Sequence, residues 1–574
     1  MKEVTRKTFF ILALVISFLF LSSQNILAQT PPPGQEPGAQ AERYKYDVEK
    51  EKKRLEYKKP KAPKIEVEKE KVKPAIEGPS FILKVVNITG STIFKTQDFK
   101  AIYEPYLNKK VTFQDMETVS GKIESKYKEK GYFTTTVFIP QQDIKDGVIE
   151  IRIAEGKMGQ LNVEGNKWFS AEFIKKFIHA KKNEILNIKT LARDILRLNK
   201  NPDLEIKAVL SQGKDPLTSD IALKVDGKFP WHVGFLEDNR GSRLTGKYRS
   251  MFTVRSSNIS GLGDTIFVNT LLTGSSFGES VSYSVPFGTY GTKIGLDVTY
   301  FDMELGKEFA SYNITGNTQI YTPHVSWELA LEEDSEIYAN LGIDIKSVKK
   351  KMEGKSTAND QLRIPYFGFD FSKTDPAGQS AFSPRFNFGT SGFLGASSRN
   401  DPKLSRPDSG GFFFKYEQSL NRLQKMFFDS YMYIRSRFQI ASQPLAPSEQ
   451  LQLGGAESIR GYPEGDYIAD TGAVVNFDWV FPMYMIPKSW KLPGQDMPLR
   501  HQIEPVFFVD IGSGTLNKTL PGERNSKFLA AIGGGLRIKF RYFSLRLDWA
   551  GSIGDKPTSG AGPSTFYFTF QSEI

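Results

Sequence analysis

Leu536-Arg537-Ile538-Lys539-Phe540-Arg541-Tyr542-Phe543-Ser544-Leu545-Arg546-Leu547-Asp548-Trp549 is the stretch that decides the fold. Apolar side chains hold the even positions up to Phe540 and the odd positions from Phe543 on. Successive side chains of a strand point to opposite faces. The parity switch therefore predicts a hairpin turning near Arg541-Tyr542, with every apolar side chain on one face. The other face carries Arg537, Lys539, Arg546 and Asp548. Burying those four charges in a dry core is very costly, whereas a water-filled lumen accepts them. The hairpin thus reads as the wall of a barrel, apolar outside and wet inside. The competing reading, a soluble sandwich with its polar face outward, leaves the aromatic face in need of a core.

The same alternation runs through residues 229–574. Val281, Tyr283, Val285 and Phe287 sit opposite Ser280, Ser282 and Ser284. Leu296, Val298 and Tyr300 oppose Asp297 and Thr299, and Ile337, Ala339, Leu341, Ile343 and Ile345 oppose Asn340, Asp344 and Lys346. Met432, Ile434, Phe438 and Ile440 oppose Arg435, Arg437 and Gln439. A spanning strand takes about 9–11 residues. With turns and outer loops, the tract predicts a membrane β-barrel of about 16 antiparallel strands, closed by a last strand bearing Phe566, Phe568 and Phe570.

Composition agrees. Phenylalanine is 44 of 574 residues, yet mean hydropathy is −0.36, too polar for a bundle of membrane helices. Beyond residue 28 no run is long and apolar enough for one; Gly472 to Pro487 comes nearest, and Asn476 and Asp478 interrupt it. Cysteine is absent, which excludes disulfides, thiolate metal sites and thiol catalysis. Four scattered histidines, His179, His232, His324 and His501, offer no metal cluster. Gly274-Ser275-Ser276-Phe277-Gly278 fits a nucleophile-elbow pattern, but it lies between barrel strands with no helix after it and reads as loop glycine. No phosphate-binding loop and no HExxH appears. The reading is a protein without catalytic residues, cofactor or metal.

The N-terminus has three parts. Lys2, Arg6 and Lys7 precede an apolar run from Phe9 to Leu21, and Ile26-Leu27-Ala28 offers a cleavage site before Gln29. This predicts a secretory signal peptide over 1–28. Residues 29–78 follow as a charged, proline-punctuated segment in which acidic residues interleave with basic ones, so nucleic-acid binding is not expected. Tyr44, Val48 and Leu55 form a thin helical stripe that Pro60 and Pro63 would stop. Taken alone, the segment reads as a solvated helix and an extended spacer.

Residues 79–155 and 156–228 repeat one order, β-α-α-β-β. In the first, Phe81 to Ile88 is a strand, Thr96 to Tyr106 and Thr112 to Lys130 are helical, and Thr134 to Ile139 and Val148 to Ile153 are strands. In the second, Gln160 to Val163, Leu204 to Leu210 and Asp220 to Val225 are strands, with helices over Ala171 to His179 and Thr190 to Asn199. This order, with Tyr127-x-x-x-Gly131-Tyr132, Pro140-x-Gln142, Gly147 and Glu155-Gly156, resembles the polypeptide-transport-associated (POTRA) domain. Pro216-x-Thr218-Ser219-Asp220 extends the match in the second copy. The exposed edge of such a sheet can add a strand from an extended peptide through backbone bonds.

A last constellation separates this barrel from an ordinary porin. Gly454-Gly455-x-x-Ser458-Ile459-Arg460-Gly461-Tyr462 is followed, fifty residues on, by Phe508-Val509-Asp510-Ile511-Gly512. Arg460 has a planar, always-charged head suited to a paired carboxylate. Asp510 alternates with Phe508 and Val509 and can point inward from a strand. With Pro230-Trp231, Asp238-Asn239-x-Gly241-Ser242-x-x-Thr245-Gly246, and Asn258 with Gly261-Leu262-Gly263-Asp264, the chain resembles the TpsB transporters of two-partner secretion, in the superfamily of BamA. The resemblance implies that the loop of Ile459, Arg460, Gly461 and Tyr462 folds into the lumen. Arg460 would meet Asp510 beside Gly512 on the inner wall, and the charged segment 40–58 would be a plug helix. It further implies an outer-membrane location with the POTRA units in the periplasm, lipid around a monomeric barrel, and a secreted TpsA-like exoprotein handled in extended form. The runner-up readings are a BamA/TamA-like assembly factor for other barrels, whose loop motif typically ends in Phe where Tyr462 stands, and a passive porin. The family usually ends on Phe, whereas this chain ends Phe570-Gln571-Ser572-Glu573-Ile574.

Overall fold

The computed structural model describes residues 31–56, 65–67, 80–558 and 562–573. The signal segment 1–28 and most of the linker after residue 56 lie outside the described residues.

Alternating sequence becomes a wall because each strand satisfies its backbone through its two neighbours and closure removes the edges. Sixteen strands pair antiparallel in chain order, from Trp231–Asp238 to Ser564–Glu573. The last closes on the first from Gly234↔Glu573 to Asp238↔Thr569. In the deciding hairpin, strands Ser526–Lys539 and Phe543–Ser552 pair Leu536 with Leu547 and Ile538 with Leu545. The turn is 540–542, closed by the Phe540 N–H donating to the Phe543 carbonyl at 2.9 Å. Arg537 faces Arg546 across the pair. Asp548 offsets that repulsion, accepting from Arg537 at 2.6 Å and from Arg546 at 2.7 Å.

The barrel inverts the usual order of burial. Asn269, Ser280, Ser282, Thr299, Asp344 and Lys346 are buried, while Tyr283, Ile294, Leu296 and Leu341 are exposed. Water-soluble proteins place these residue types the other way round; hydrocarbon outside and a polar interior account for it. Aromatic rings run across neighbouring strands on the outside, Phe367 to Phe386 at 4.6 Å and Phe386 to Tyr416 at 5.0 Å. No described helix is long and apolar enough to cross a membrane; the crossing elements are the strands.

Before the barrel stand two small α+β units. In the first, Val148–Ala154 is the central strand, with Val85–Thr89 parallel on one side and Thr136–Phe138 antiparallel on the other. Helix Phe113–Glu129 begins at Thr112, whose hydroxyl and amide both engage Asp115, a reciprocal cap. It lays Met116, Val119, Ile123 and Tyr127 on the sheet. The helix expected from Thr96 to Tyr106 is instead three short pieces, Thr96–Phe99, Lys100–Tyr103 and Glu104–Tyr106; Pro105 lacks the amide that a continuous helix needs.

The second unit repeats the plan around Thr218–Gly227, with Lys157–Glu164 parallel and Leu204–Gln212 antiparallel to it. Its outer edge is not bare. The linker strand Ile65–Val67 adds parallel to it, pairing Ile65 with Ala208 and Val67 with Leu210. This unit is also seated on the barrel. Arg197 donates to Glu328 at 2.6 and 3.2 Å, and Asp203 receives His232 at 2.9 Å and the Ser257 hydroxyl at 2.6 Å.

Helix Pro37–Glu56 lies within the barrel. Its 20 residues make a rod of about 30 Å, the thickness of a hydrocarbon layer. Ala41, Tyr44 and Val48 pack on Leu244, Met251, Phe267, Phe301 and Met303, and the Tyr44 hydroxyl donates to the Asn269 carbonyl at 2.6 Å. Several of the interleaved charges meet the wall instead of forming one solvated face, although Glu49, Lys53 and Arg54 stay exposed. Glu36 meets Lys350 at 2.7 Å, Lys45 meets Asp344 at 3.4 Å, Asp47 meets Arg249 at 2.8 Å and Lys52 meets Asp297 at 3.2 Å.

Candidate functional site: a charged clamp inside the barrel

The segment between strands Tyr431–Ala441 and Thr471–Val480 is long enough to enter the lumen. Its base is fixed by Asp470, which is fully buried and accepts from Arg406 at 3.1 Å, the Leu445 amide at 2.9 Å and Gln450 at 2.9 Å. A short ladder, Leu451–Leu453 with Tyr467–Ala469, then carries the chain inward to Ser458-Ile459-Arg460-Gly461-Tyr462.

Arg460 is fully buried. Its Nε donates to Asp510 Oδ2 at 2.7 Å, its Nη2 to Asp510 Oδ1 at 2.7 Å, and its backbone N–H to Oδ2 at 2.9 Å. This is the fork-on-carboxylate geometry that makes arginine specific here. Nη2 also donates to Asp478, and Nη1 lies 3.8 Å from Asp548. The guanidinium stacks 3.4 Å from the centre of the Phe508 ring. Asn476 donates to Asp510 at 2.8 Å and to the Ser458 carbonyl at 2.5 Å. Phe508 therefore shares the inward face with Asp510, and Val509 takes the outward one.

The neighbours of Arg460 fit just as closely. Gly461 has φ +89°, and a Cβ there would lie 3.1 Å from the Ser552 amide, so glycine is required. At Gly512 a Cβ would come within 2.8 Å of the buried Ile459 side chain. Tyr462 is buried. Its hydroxyl accepts from the Gly554 amide at 3.1 Å, and its carbonyl accepts from the Tyr567 hydroxyl at 3.0 Å.

The structure thus brings together all six residues singled out above, Ile459, Arg460, Gly461, Tyr462, Asp510 and Gly512. Sequence reading missed Asp478, Asp548 and Phe508 as members of the clamp. The first two left a trace: Asp478 interrupts an apolar run, and Asp548 belongs to the polar face of the deciding hairpin. It missed Glu457 altogether. That carboxylate is met by Lys50 from the lumen helix, Arg240 at 3.0 Å, Arg435 at 3.4 Å and Arg546 at 3.5 Å. It ties helix, loop and wall into one network. The loop holds the helix elsewhere too: Arg43 donates to Gln452 at 3.2 Å, and Lys346 bridges Glu42 and Glu449.

Known proteins share this plan. Residues 218–538 match the family described as haemolysin secretion/activation protein ShlB/FhaC/HecB, and residues 81–156 match the ShlB-type POTRA domain. The outer membrane transporter CdiB of Dickeya dadantii is 23% identical over 439 residues, covering 73% of this chain and 74% of that one. The heme/hemopexin transporter protein HuxB of Haemophilus influenzae is 21% identical over 475 residues, covering 80% and 82%. Among solved structures, CdiB from Escherichia coli superposes with a TM-score of 0.73 at 18% identity, over 96% of this chain and all of that one. BamA from Haemophilus ducreyi, lacking POTRA domains 1–3, is more distant, with a TM-score of 0.52 at 13% identity over 86% of this chain. The first α+β unit is a POTRA domain, on the periplasmic side. The chain belongs to the haemolysin secretion/activation protein family of ShlB, FhaC and HecB, outer-membrane transporters of two-partner secretion.

Proposed function

We propose that this transporter captures one unfolded exoprotein in the periplasm through the sheet edges of its POTRA units and passes it through the barrel lumen to the cell surface. The observation that carries this reading is the filled but unlocked lumen. Apart from the short apolar stripe of Ala41, Tyr44 and Val48, helix Pro37–Glu56 is held there by ion pairs and hydrogen bonds, contacts that water and a passing chain can replace, while the Arg460 loop is anchored to the wall at Asp510. A dry apolar plug offers no such exchange. Residues 1–28 act as the export signal, 29–78 as plug helix and linker, 79–155 and 156–228 as POTRA units, and 229–574 as the barrel, which works as a monomer surrounded by outer-membrane lipid. The chain performs no covalent chemistry on its cargo, and folding of the cargo outside supplies the drive.

Strand addition is the capture mode suited to an unfolded cargo, since it asks little of sequence. At Leu204–Gln212 the arriving strand must first replace Ile65–Val67, whose side chain Ile65 packs on the core of the second unit. Because those residues follow the lumen helix in the chain, taking that edge also slackens the helix tether.

Arg460 and Asp510 pin the loop while the rest moves. The test is secretion of the cognate exoprotein, identified by comparing supernatants of wild-type and deletion strains by mass spectrometry. Arg460→Ala is expected to insert as a heat-modifiable barrel yet release little exoprotein; normal release would refute the role given to the clamp.

A further inference from the structure

On the POTRA side of the barrel, most connections between strands are brief; 332–334, 376–377 and 540–542 are examples. The connection 481–502, between strands Thr471–Val480 and Ile503–Thr515, is far longer and is folded. The Met483 amide donates to the Arg500 carbonyl at 2.8 Å, and the Leu499 amide to the Trp490 carbonyl at 2.8 Å. It is fastened to the neighbouring turn 426–430. The Tyr484 hydroxyl donates to the Phe428 carbonyl at 2.5 Å, and Lys488 and Arg500 meet Asp429 at 3.3 and 3.5 Å.

A loop so well tied down nevertheless presents Tyr484, Met485, Trp490 and Met497 to the outside, with Phe427 and Phe428 beside them; Met485 is 91% exposed. Scattered apolar residues on a surface need no explanation, but a contiguous patch of this kind does. At Phe427 the patch joins the lipid-facing wall. Phe427 contacts Trp479 at 5.7 Å, Trp479 contacts Phe481 at 4.7 Å, and Phe481 contacts the outward Phe507 at 6.1 Å. Lys488 and Lys491, both exposed, lie among the apolar side chains of the loop. Apolar and aromatic side chains interleaved with lysine, continuous with a hydrocarbon-facing surface, are the chemistry of a membrane–water interface.

We propose that loop 481–502, together with Phe427 and Phe428, is an interfacial pad. It lies in the headgroup layer of the periplasmic leaflet, with Met485 and Trp490 at the acyl boundary and Lys488 and Lys491 toward the lipid phosphates. The two strands it joins carry Asp478 and Asp510, so the pad holds the clamp-bearing part of the wall at a fixed height against the lipid.

The full-length protein in nanodiscs of phosphatidylethanolamine and phosphatidylglycerol tests this. Subtracting the emission of Trp490→Phe from that of wild type isolates Trp490. The difference signal is expected to be quenched at least twofold more by lipid brominated at carbons 6 and 7 than by lipid brominated at carbons 11 and 12, and only weakly by iodide. Because the chain has no cysteine, Met485→Cys carrying an environment-sensitive dye gives a second reading, expected in the nanodisc-embedded protein to emit well to the blue of the same dye free in buffer. Strong iodide quenching of Trp490 with no effect of brominated lipid overturns the proposal and leaves the pad to a protein partner, as does a Met485 probe reporting bulk water.

Discussion

The first POTRA unit and the barrel lumen are both interiors, and they are built on opposite principles. The POTRA interior is Met116, Val119, Ile123, Tyr127, Ile149 and Ile151, all buried, and it coheres because water is excluded from apolar area. The barrel interior is Arg460, Asp510, Asp548, Asp344 and Lys346, equally buried, and it coheres because each charge has an opposite one in reach. An apolar core is stable against exchange, since nothing in water substitutes for its contacts. An ionic one is stable only while its pairs are complete, since removing one member strands any partner that has no other. The first suits a scaffold that must keep its shape; the second suits a passage that must close and reopen.

The largest break in that contrast is Arg460→Ala. Asp478 keeps Arg435, and Asp548 keeps Arg537 and Arg546. Among its described partners Asp510 would keep only Asn476 and the backbone N–H of residue 460, and no cation. Stranding a buried charge costs about 3–5 kcal/mol, so the loop should leave its seat and exoprotein release should fall about tenfold or more, read by immunoblot of supernatants. Asp510→Asn should do less harm, because Arg460 retains Asp478 and Asp548. Equal effects would deny the asymmetry.

Deleting 37–56 comes next. It should leave a folded barrel whose single-channel conductance in planar bilayers is large and steady, against small and intermittent openings for wild type. Glu457→Gln is milder: one carboxylate shared by four cations becomes a neutral amide, which should raise the frequency of openings several-fold without changing heat-modifiability. Ile65→Asp sharpens the comparison at the edge of the second POTRA unit. A charge on a side chain packed against an apolar core should free the linker strand, seen as faster hydrogen exchange across Leu204–Gln212.

The smallest effect is in acid. Burial pushes the Glu155 carboxyl up, but bonds from the Thr92 hydroxyl and amide, the Ile93 amide and the Tyr127 hydroxyl outweigh it and leave the value below the ordinary one. A carboxyl lowered on folding contributes stability that is present above its unfolded value, near 4.3, and is lost as pH falls through the folded value. Exchange protection across Val148–Ala154 should therefore weaken as pH drops below about 4, and Glu155→Gln should flatten that dependence.

What the sequence discloses follows from the same contrast. Alternation reveals which face a residue takes, so the hairpin at 536–549 and the closed barrel were legible, apart from Phe540 joining the turn. Helical spacing without attention to Pro105 overestimated one helix of the first POTRA unit. The clamp was legible in half. Arg460 and Asp510 stood out through their motifs, and Asp478 only as an anomaly in an apolar run. Phe508 has the parity of Asp510 and so shares its inward face, and only Val509 alternates with the carboxylate. Alternation names no partner, so the pairing of Asp47 with Arg249, or of Lys50 with Glu457, could not be read. Those residues lie hundreds of positions apart and meet only because the chain enters its own barrel.

A single disulfide tests the central claim that the helix must leave the lumen for cargo to pass. A Cβ on Gly38 would lie 2.9 Å from the Ser448 Cβ, slightly closer than the roughly 3.5–4.5 Å that a disulfide spans, and the chain has no other cysteine. In Gly38→Cys/Ser448→Cys, oxidation should lock the helix to the loop and abolish exoprotein release, and reductant should restore it. Release that continues unchanged from the fully oxidised protein would contradict the account.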